Sequence, residues 1–234
     1  MPQPQVNRIR RLAALSLALA CAPASNKRQG SESTSVTRAE TTAVAGRAPT
    51  DSNITRADLA RIQGSSTAPL WVIEVSDFQC PYCKQWHDQT YPQFLNQYVK
   101  TGKVRLAYVN FPLGIHVHAF PAAEAAMCAA AQDKFWPMHD ALFATQAHWE
   151  SLPSPSPVFD SLAQATGVDM KRWRDCVSSG KMRPLIQADH DRAQRAGASA
   201  TPSFMIGDKL LAGAIPLNEL QQAIDSAMVK NRQQ

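Results

Sequence analysis

Cys80-Pro81-Tyr82-Cys83 places two thiols close enough in the chain to form and break a disulfide within one helical turn. The motif follows an apolar run, Leu70-Trp71-Val72-Ile73-Glu74-Val75, which reads as a buried strand. It precedes a stretch with helical spacing, in which Trp86, Tyr91, Phe94, Leu95, Tyr98 and Val99 share a face. Strand, then C-x-x-C, then helix puts Cys80 at a helix N-terminus. There the unpaired backbone N–H groups and the helix dipole favour a thiolate over a thiol. Pro81 suits the first helical turn, whose N–H would lack a partner in any case. The chemistry this spacing supports is thiol–disulfide exchange. Taken alone, it also fits a soft-ion site, such as one for Cu(I), or a purely structural bridge.

The elements that must position the pair follow from pattern and punctuation. Leu70 to Phe78 is the first strand, and Pro81 to about Lys100 the first long helix, kinked at Pro92. Lys103 to Phe111 alternates and stops at Pro112, as a second strand should. A block of helices follows: His118 to about Gln146, Val158 to Gly167, Asp169 to Ser178 and Met182 to Gly197. Between the first two, Leu152 to Pro157 alternates proline and serine and forms a stiff extended loop. Ser203 to Lys209 reads as strand and turn, Leu210 to Ile215 as its hairpin partner, and Pro216 to Val229 as a last helix. No internal repeat is visible.

The 234-residue chain is not uniform. Arg8, Arg10 and Arg11 precede the short apolar run Leu12 to Ala20, the pattern of a secretory signal. That run is too short to span a bilayer, which takes about 20 residues. Ala18-Leu19-Ala20-Cys21 is similar to the lipobox of bacterial lipoproteins, with Ala18 where leucine is usual, which would make Cys21 a lipidation site. Two A-x-A sites, Ala18 to Ala20 and Ala22 to Ala24, compete with it for plain secretion. Ala22 to about Ser52 has almost no large apolar residue and cannot offset its ordering entropy, so it reads as a flexible tether. The expected division is a signal peptide over 1–21, a tether over 22–53 and a folded domain over 54–234. Residues 1–20 carry three Arg and no acid, so without them the net charge falls from +5 to +2. With no Lys/Arg stripe elsewhere, the charge gives no case for a nucleic-acid partner.

The order β, α, β, helical block, ββα resembles a thioredoxin fold with a helical insertion at about 115–197, as in the DsbA-like branch of that superfamily. The residues that carry the resemblance span about 56–228. Glu74-Val75-Ser76-Asp77-Phe78-Gln79-Cys80-Pro81-Tyr82-Cys83 is close to the branch's E-x-x-D-F-x-C-P-x-C signature. Lys134-Phe135-Trp136 with Met138-His139-Asp140 resembles its K-F-W-x-x-H-D helix, and Thr201-Pro202-Ser203-Phe204 its T-P-T-F segment. The resemblance implies that Cys80 is the nucleophile, left exposed by the preceding turn. Cys83, one turn further in, then resolves the mixed disulfide. It implies that Pro202 follows a cis bond against the Cys80–Cys83 pair and that its neighbours bind an extended substrate chain. Thr201, like Pro81 and Tyr82, then tunes the redox poise. Glu74 matches a buried acid of the family that takes a proton from Cys83 through water; as a bare residue it reads equally as a strand-edge carboxylate reaching solvent.

Cys128 and Cys176 lie on two helices of the insertion, and export would place them where disulfides persist. They read as a structural disulfide, with two buried free thiols, or a four-cysteine metal site, as the alternatives. His116 and His118 could face one ion from an extended segment, but the nearby Pro112 and Gly114 favour a loop. Trp136, Phe135, Phe143 and Trp149 read as core or groove lining. No cofactor or metal is called for. The resemblance implies an exported thiol:disulfide oxidoreductase, running as an oxidase on reduced or misfolded exported proteins and recycled by a membrane redox partner, with an isomerase or reductase of the same fold as the alternative. Residues 22–53 are too short and polar to be a dimerisation domain, so a monomer is expected.

Overall fold

The computed structural model describes residues 51–233. The expected signal peptide, Cys21 and nearly all of the tether lie outside them. Asp51 opens the first helix, α1 (Ser52–Ala60), by accepting a hydrogen bond from the Asn53 backbone N–H. β1 (Ile62–Gln63) and β2 (Leu70–Ser76) follow, then α2 (Pro81–Gln89), α3 (Tyr91–Phe94), a π-helical turn (Leu95–Val99) and β3 (Val104–Asn110). The insertion comprises α4 (Ala119–Ala130), α5 (Phe135–Ala144), α6 (Gln146–Trp149), α7 (Ser156–Ala165), α8 (Met170–Ser179) and α9 (Arg183–Arg195). β4 (Ser203–Ile206), β5 (Lys209–Ala212) and α10 (Leu217–Asn231) complete the described chain.

The sheet runs β1-β3-β2-β4-β5. β2 and β3 are parallel, joined by the α2–α3 crossover, and the other pairings are antiparallel. β2 is therefore central, with Glu74 opposite Tyr108 on one side and Phe204 on the other. This is the thioredoxin architecture, and the insertion enters between its βαβ and ββα halves.

Local chemistry explains where the elements depart from expectation. Pro92 has no N–H for the Asp88 carbonyl and its ring crowds that group, so the helix expected to bend at Pro92 already breaks at Thr90. The helix expected over 118–146 stops at Ala130, because Asp133 adopts a left-handed φ of 60° that aspartate tolerates better than most residues. α1 and β1 went unread: a two-residue strand has no alternation to detect.

α4 is buried almost all round. Its alanines let α5, α7, α8 and α9 approach closely, and Glu124 on it is buried against the Arg183 guanidinium (3.0 and 3.1 Å). Cys128 on α4 and Cys176 on α8 are joined by a disulfide with a Cα separation of 5.7 Å. Their sequence separation of 48 closes a long loop, for which chain entropy alone gives about 4 kcal/mol. Replacing both with alanine is expected to cost about 2–4 kcal/mol in urea unfolding, with exchange at Cys80–Cys83 kept in the folded protein.

A second tie was invisible in the sequence. Arg61, just after α1, is buried and pairs through its guanidinium with both carboxylate oxygens of Asp189 on α9, one of them at 3.0 Å. Arg61 also donates to the Tyr108 carbonyl (3.1 Å) and to Asp58, while Asp189 accepts from the Asn110 amide (2.9 Å) and from Arg192 (2.7 Å). The junction of α1 and β1, the end of β3 and the last helix of the insertion meet at this one carboxylate.

Candidate active site

β2 delivers the chain to Asp77, and the turn closes with the Cys80 N–H on the Asp77 carbonyl (3.1 Å). Cys80 has the extended backbone of a helix cap, and Pro81 occupies the first position of α2. Asp77 is buried and its carboxylate holds this turn together. It accepts from the backbone N–H of Gln79 (2.7 Å) and of Leu113 (2.9 Å), and its Oδ2 lies 2.7 Å from His116 Nδ1. Burial raises its pKa; these hydrogen bonds oppose the rise.

Both thiols are unpaired. Cys83 is completely buried, as its place one turn in requires. Cys80 is only 3% accessible, not open as the preceding turn implied. The reason is the segment around Pro202: the Thr201-Pro202 bond is cis, and the Cys80 thiol donates to the Thr201 carbonyl at 3.4 Å. Pro202 is buried, while Tyr82 projects outward, 62% exposed.

The two sulfurs are driven apart in acidity. A hydrogen bond from the Cys83 thiol, the largest cause, holds the Cys80 pKa down at about 6. The Thr201 hydroxyl, which has no hydrogen-bond partner elsewhere, and the N–H groups of Tyr82 and Cys83 add to this, against the opposing effect of burial. Burial pushes Cys83 well up, and the neighbouring Cys80 charge adds to the rise. One sulfur is a thiolate at neutral pH and its partner keeps its proton, the asymmetry a nucleophile and a resolving thiol need.

Glu74 lies beneath them on the central strand, 1% exposed, with neither carboxylate oxygen hydrogen-bonded. The strand-edge reading is thereby corrected: two neighbouring strands enclose it. Ser76, on the same face and nearer Cys83, and Tyr108, directly across, also carry hydroxyls without partners. Burial raises the Glu74 pKa from 4.5 to about 7. Folding therefore favours protonated Glu74, so its contribution is intact below pH about 4.5 and is lost as pH rises through 7. A Glu74→Gln variant should flatten this dependence, gaining about 3 kcal/mol on the native protein between those limits. Urea unfolding of the reduced protein across that range measures it; parallel curves for the two proteins would exclude the shift.

Sequence reasoning missed how the insertion grips the motif. Gln146 on α6 is buried, and its amide donates to the carbonyls of Phe78 (2.7 Å) and Cys80 (3.1 Å). Gln79 donates to the Glu150 carbonyl (2.8 Å) and accepts from the His118 N–H (2.6 Å). Nothing in a lone glutamine on an Ala-rich helix signals this. His116 and His118 do not form a metal pair: the first turns to Asp77, the second to the Leu152 carbonyl (2.7 Å). Phe135, Phe143 and Trp149 are wholly buried.

A family profile described as Thioredoxin matches residues 57–226. Among curated proteins, 176 residues are 32% identical to a Na(+)/H(+) antiporter, NhaA 3, of Salinispora tropica, covering 75% of this chain and 26% of that protein. The chain thus spans about a quarter of the antiporter relatives it matches. A probable disulfide bond formation protein D of Bacillus anthracis is 28% identical over 171 residues, 71% of this chain and 77% of that protein. The crystal structure of oxidised BdbD from Bacillus subtilis superposes with a TM-score of 0.65 at 23% identity, covering 71% of this chain and 91% of that one, which shows a shared fold. With the profile spanning most of the described residues, the chain belongs to the thioredoxin family.

Proposed function

We propose that the protein is an exported thiol:disulfide oxidoreductase that uses Cys80 and Cys83 to introduce disulfides into thiol-containing proteins. The observation that carries this reading is the split acidity of the pair, with Cys80 at about 6 and Cys83 pushed well up. Starting from the Cys80–Cys83 disulfide, a client thiolate attacks the Cys80 sulfur, and the S–S bond breaks with Cys83 as the leaving thiolate. Cys83 takes a proton, for which Glu74 is the nearby buried acid with a pKa of about 7. A second client thiolate then attacks the client sulfur of the mixed disulfide and releases Cys80 as a thiolate. The client loses two electrons and the protein gains them. A thiolate stabilised at Cys80 favours the reduced protein, which makes the disulfide oxidising.

Tyr82, Ile115 and Val117 are exposed, and the loop carrying the last two is tied to Asp77 and Gln79 immediately before Cys80. They offer an apolar rim to an extended, unfolded client. Support for export comes from the basic-then-apolar leader, from the Cys128–Cys176 disulfide and from the disulfide-forming relatives. Lipidated Cys21 with a tether over 22–53 would hold a domain of 54–234 at a membrane surface, near a membrane redox partner that restores its disulfide. No helix among the described residues is long and apolar enough to cross a membrane.

A second reading, an isomerase or reductase, draws on one observation. A thiolate pKa of about 6 lies closer to thioredoxin's value of about 7 than to the 3.5 of DsbA itself. The Cys80–Cys83 potential, read by equilibration with glutathione, decides between them. Well above about −180 mV the protein runs as an oxidase; near −270 mV it runs as a reductase.

A further inference from the structure

His87, one helical turn beyond Cys83 on α2, meets His139 and Asp140 of α5 at the back of the active-site helix. One nitrogen of each imidazole converges on the same carboxylate oxygen, Asp140 Oδ1: His139 Nδ1 at 2.8 Å and His87 Nε2 at 3.5 Å. All three donor atoms lie within 4.8 Å of one another. A tetrahedral zinc ion with bonds of about 2.0–2.1 Å sets its ligand atoms roughly 3.3 Å apart, so the three need only small movements to share one ion.

The surroundings hold the three donor groups in place. His87 Nδ1 lies 3.0 Å from Asp88 Oδ1, and Asp88 is itself held by Lys84 (2.8 Å). The Nδ1 contact to Asp88 holds the ring with Nε2 turned toward Asp140. An imidazole whose far nitrogen donates to a carboxylate is the usual arrangement around a metal. His139 is entirely buried, its ring wedged edge-on against Tyr108, Trp136 and Phe143, with Nε2 unpartnered among them. That wedge fixes Nδ1 toward Asp140 with little freedom left to lose on binding. The Asp140 side chain is about half exposed, which leaves a route in and an open fourth position.

We propose that His87 Nε2, His139 Nδ1 and an Asp140 carboxylate oxygen form a binding site for a divalent transition metal ion, with Zn2+ the best match to two imidazoles and one carboxylate. Binding adds three coordinate bonds and releases whatever proton His139 or His87 holds between itself and Asp140. The electron count of every participant is unchanged, so the site needs no redox partner. It shares no ligand with the Cys80–Cys83 pair.

The test uses the full chain with Cys21→Ser, Cys80→Ser and Cys83→Ser, so that no free thiol can capture metal, stripped with chelator and titrated with Zn2+ by calorimetry and with Co2+ by visible absorption. One equivalent of each metal should bind near neutral pH with proton release, and Co2+ should give the intense bands of a four-coordinate N/O site. Asp140→Asn and His87→Gln alter exposed or half-buried side chains that the fold tolerates, and each should weaken binding by roughly tenfold or more. His148→Ala, on the exposed side of α6, should leave it unchanged. Absence of stoichiometric binding in the triple-serine protein, or binding equally tight after both Asp140→Asn and His87→Gln, overturns the proposal.

Discussion

Cys83→Ala leaves the protein with a nucleophile and no resolving thiol, so mixing it with disulfide-bonded clients should accumulate covalent adducts through Cys80. Cys80→Ser should form none, and turnover should fall by roughly a thousandfold or more, because the remaining thiol, Cys83, is completely buried and held protonated. Non-reducing electrophoresis and intact-mass analysis read both outcomes. The Cys83 variant carries a second signature. Its thiol supplies the largest stabilisation of the Cys80 thiolate, so removing it should move the midpoint of Cys80 alkylation upward from about pH 6. Adducts that still form in the Cys80→Ser protein, or an alkylation midpoint that does not move, would assign the chemistry elsewhere.

Asp189→Ala should be the most damaging single change far from the sulfurs. It leaves the buried Arg61 guanidinium only the half-exposed Asp58 and the Tyr108 carbonyl, and also unpairs the Asn110 amide and Arg192. Removing one partner of a buried pair costs about 3–5 kcal/mol when the remaining charge loses its compensation, and the pairing of Arg61 with Asp58 keeps this loss at the lower end. Replacing Arg61 and Asp189 together with leucine should recover most of that loss, since an apolar pair leaves no buried charge. Urea unfolding gives both values, and a loss below about 1 kcal/mol for Asp189→Ala would show that Arg61 finds water instead. In whatever fraction folds, the Cys80 alkylation profile should match that of the native protein.

The parts of the fold legible in the sequence are those in which the chain repeats or punctuates itself. Alternation in Lys103 to Phe111, the apolar run into Cys80 and the turn at Gly207-Asp208 gave β2, β3 and the β4–β5 hairpin close to their observed bounds. α1 and β1 escaped because a Ser/Thr/Asp-rich start looks like tether, and pairing through two residues leaves no pattern. The helix break at Asp133 depends on a backbone angle, which no spacing reveals. In the site, cysteine and proline announce themselves by type. Glu74 stood out as a charge within an apolar strand, but its burial depends on β3 and β4 closing over it. Gln146, Asp189 and Arg61 look like surface residues until the insertion folds back, because polar side chains in helices usually face solvent. His87 and His139 are 52 residues apart in the chain, and only the packing of α5 on α2 brings them to one point.

The Cys128–Cys176 bond has a consequence for how each copy comes into being. Before oxidation the described residues carry Cys80, Cys83, Cys128 and Cys176 as thiols, and these four can pair in three ways. Only the pairing that joins α4 to α8 leaves Cys80 and Cys83 to each other. Maturation therefore requires two electrons to leave the insertion through some acceptor, and an already oxidised copy of the same protein has the chemistry to take them. Each such transfer reduces the Cys80–Cys83 disulfide of the donor, so one finished copy matures one new chain and must be reoxidised before it serves another.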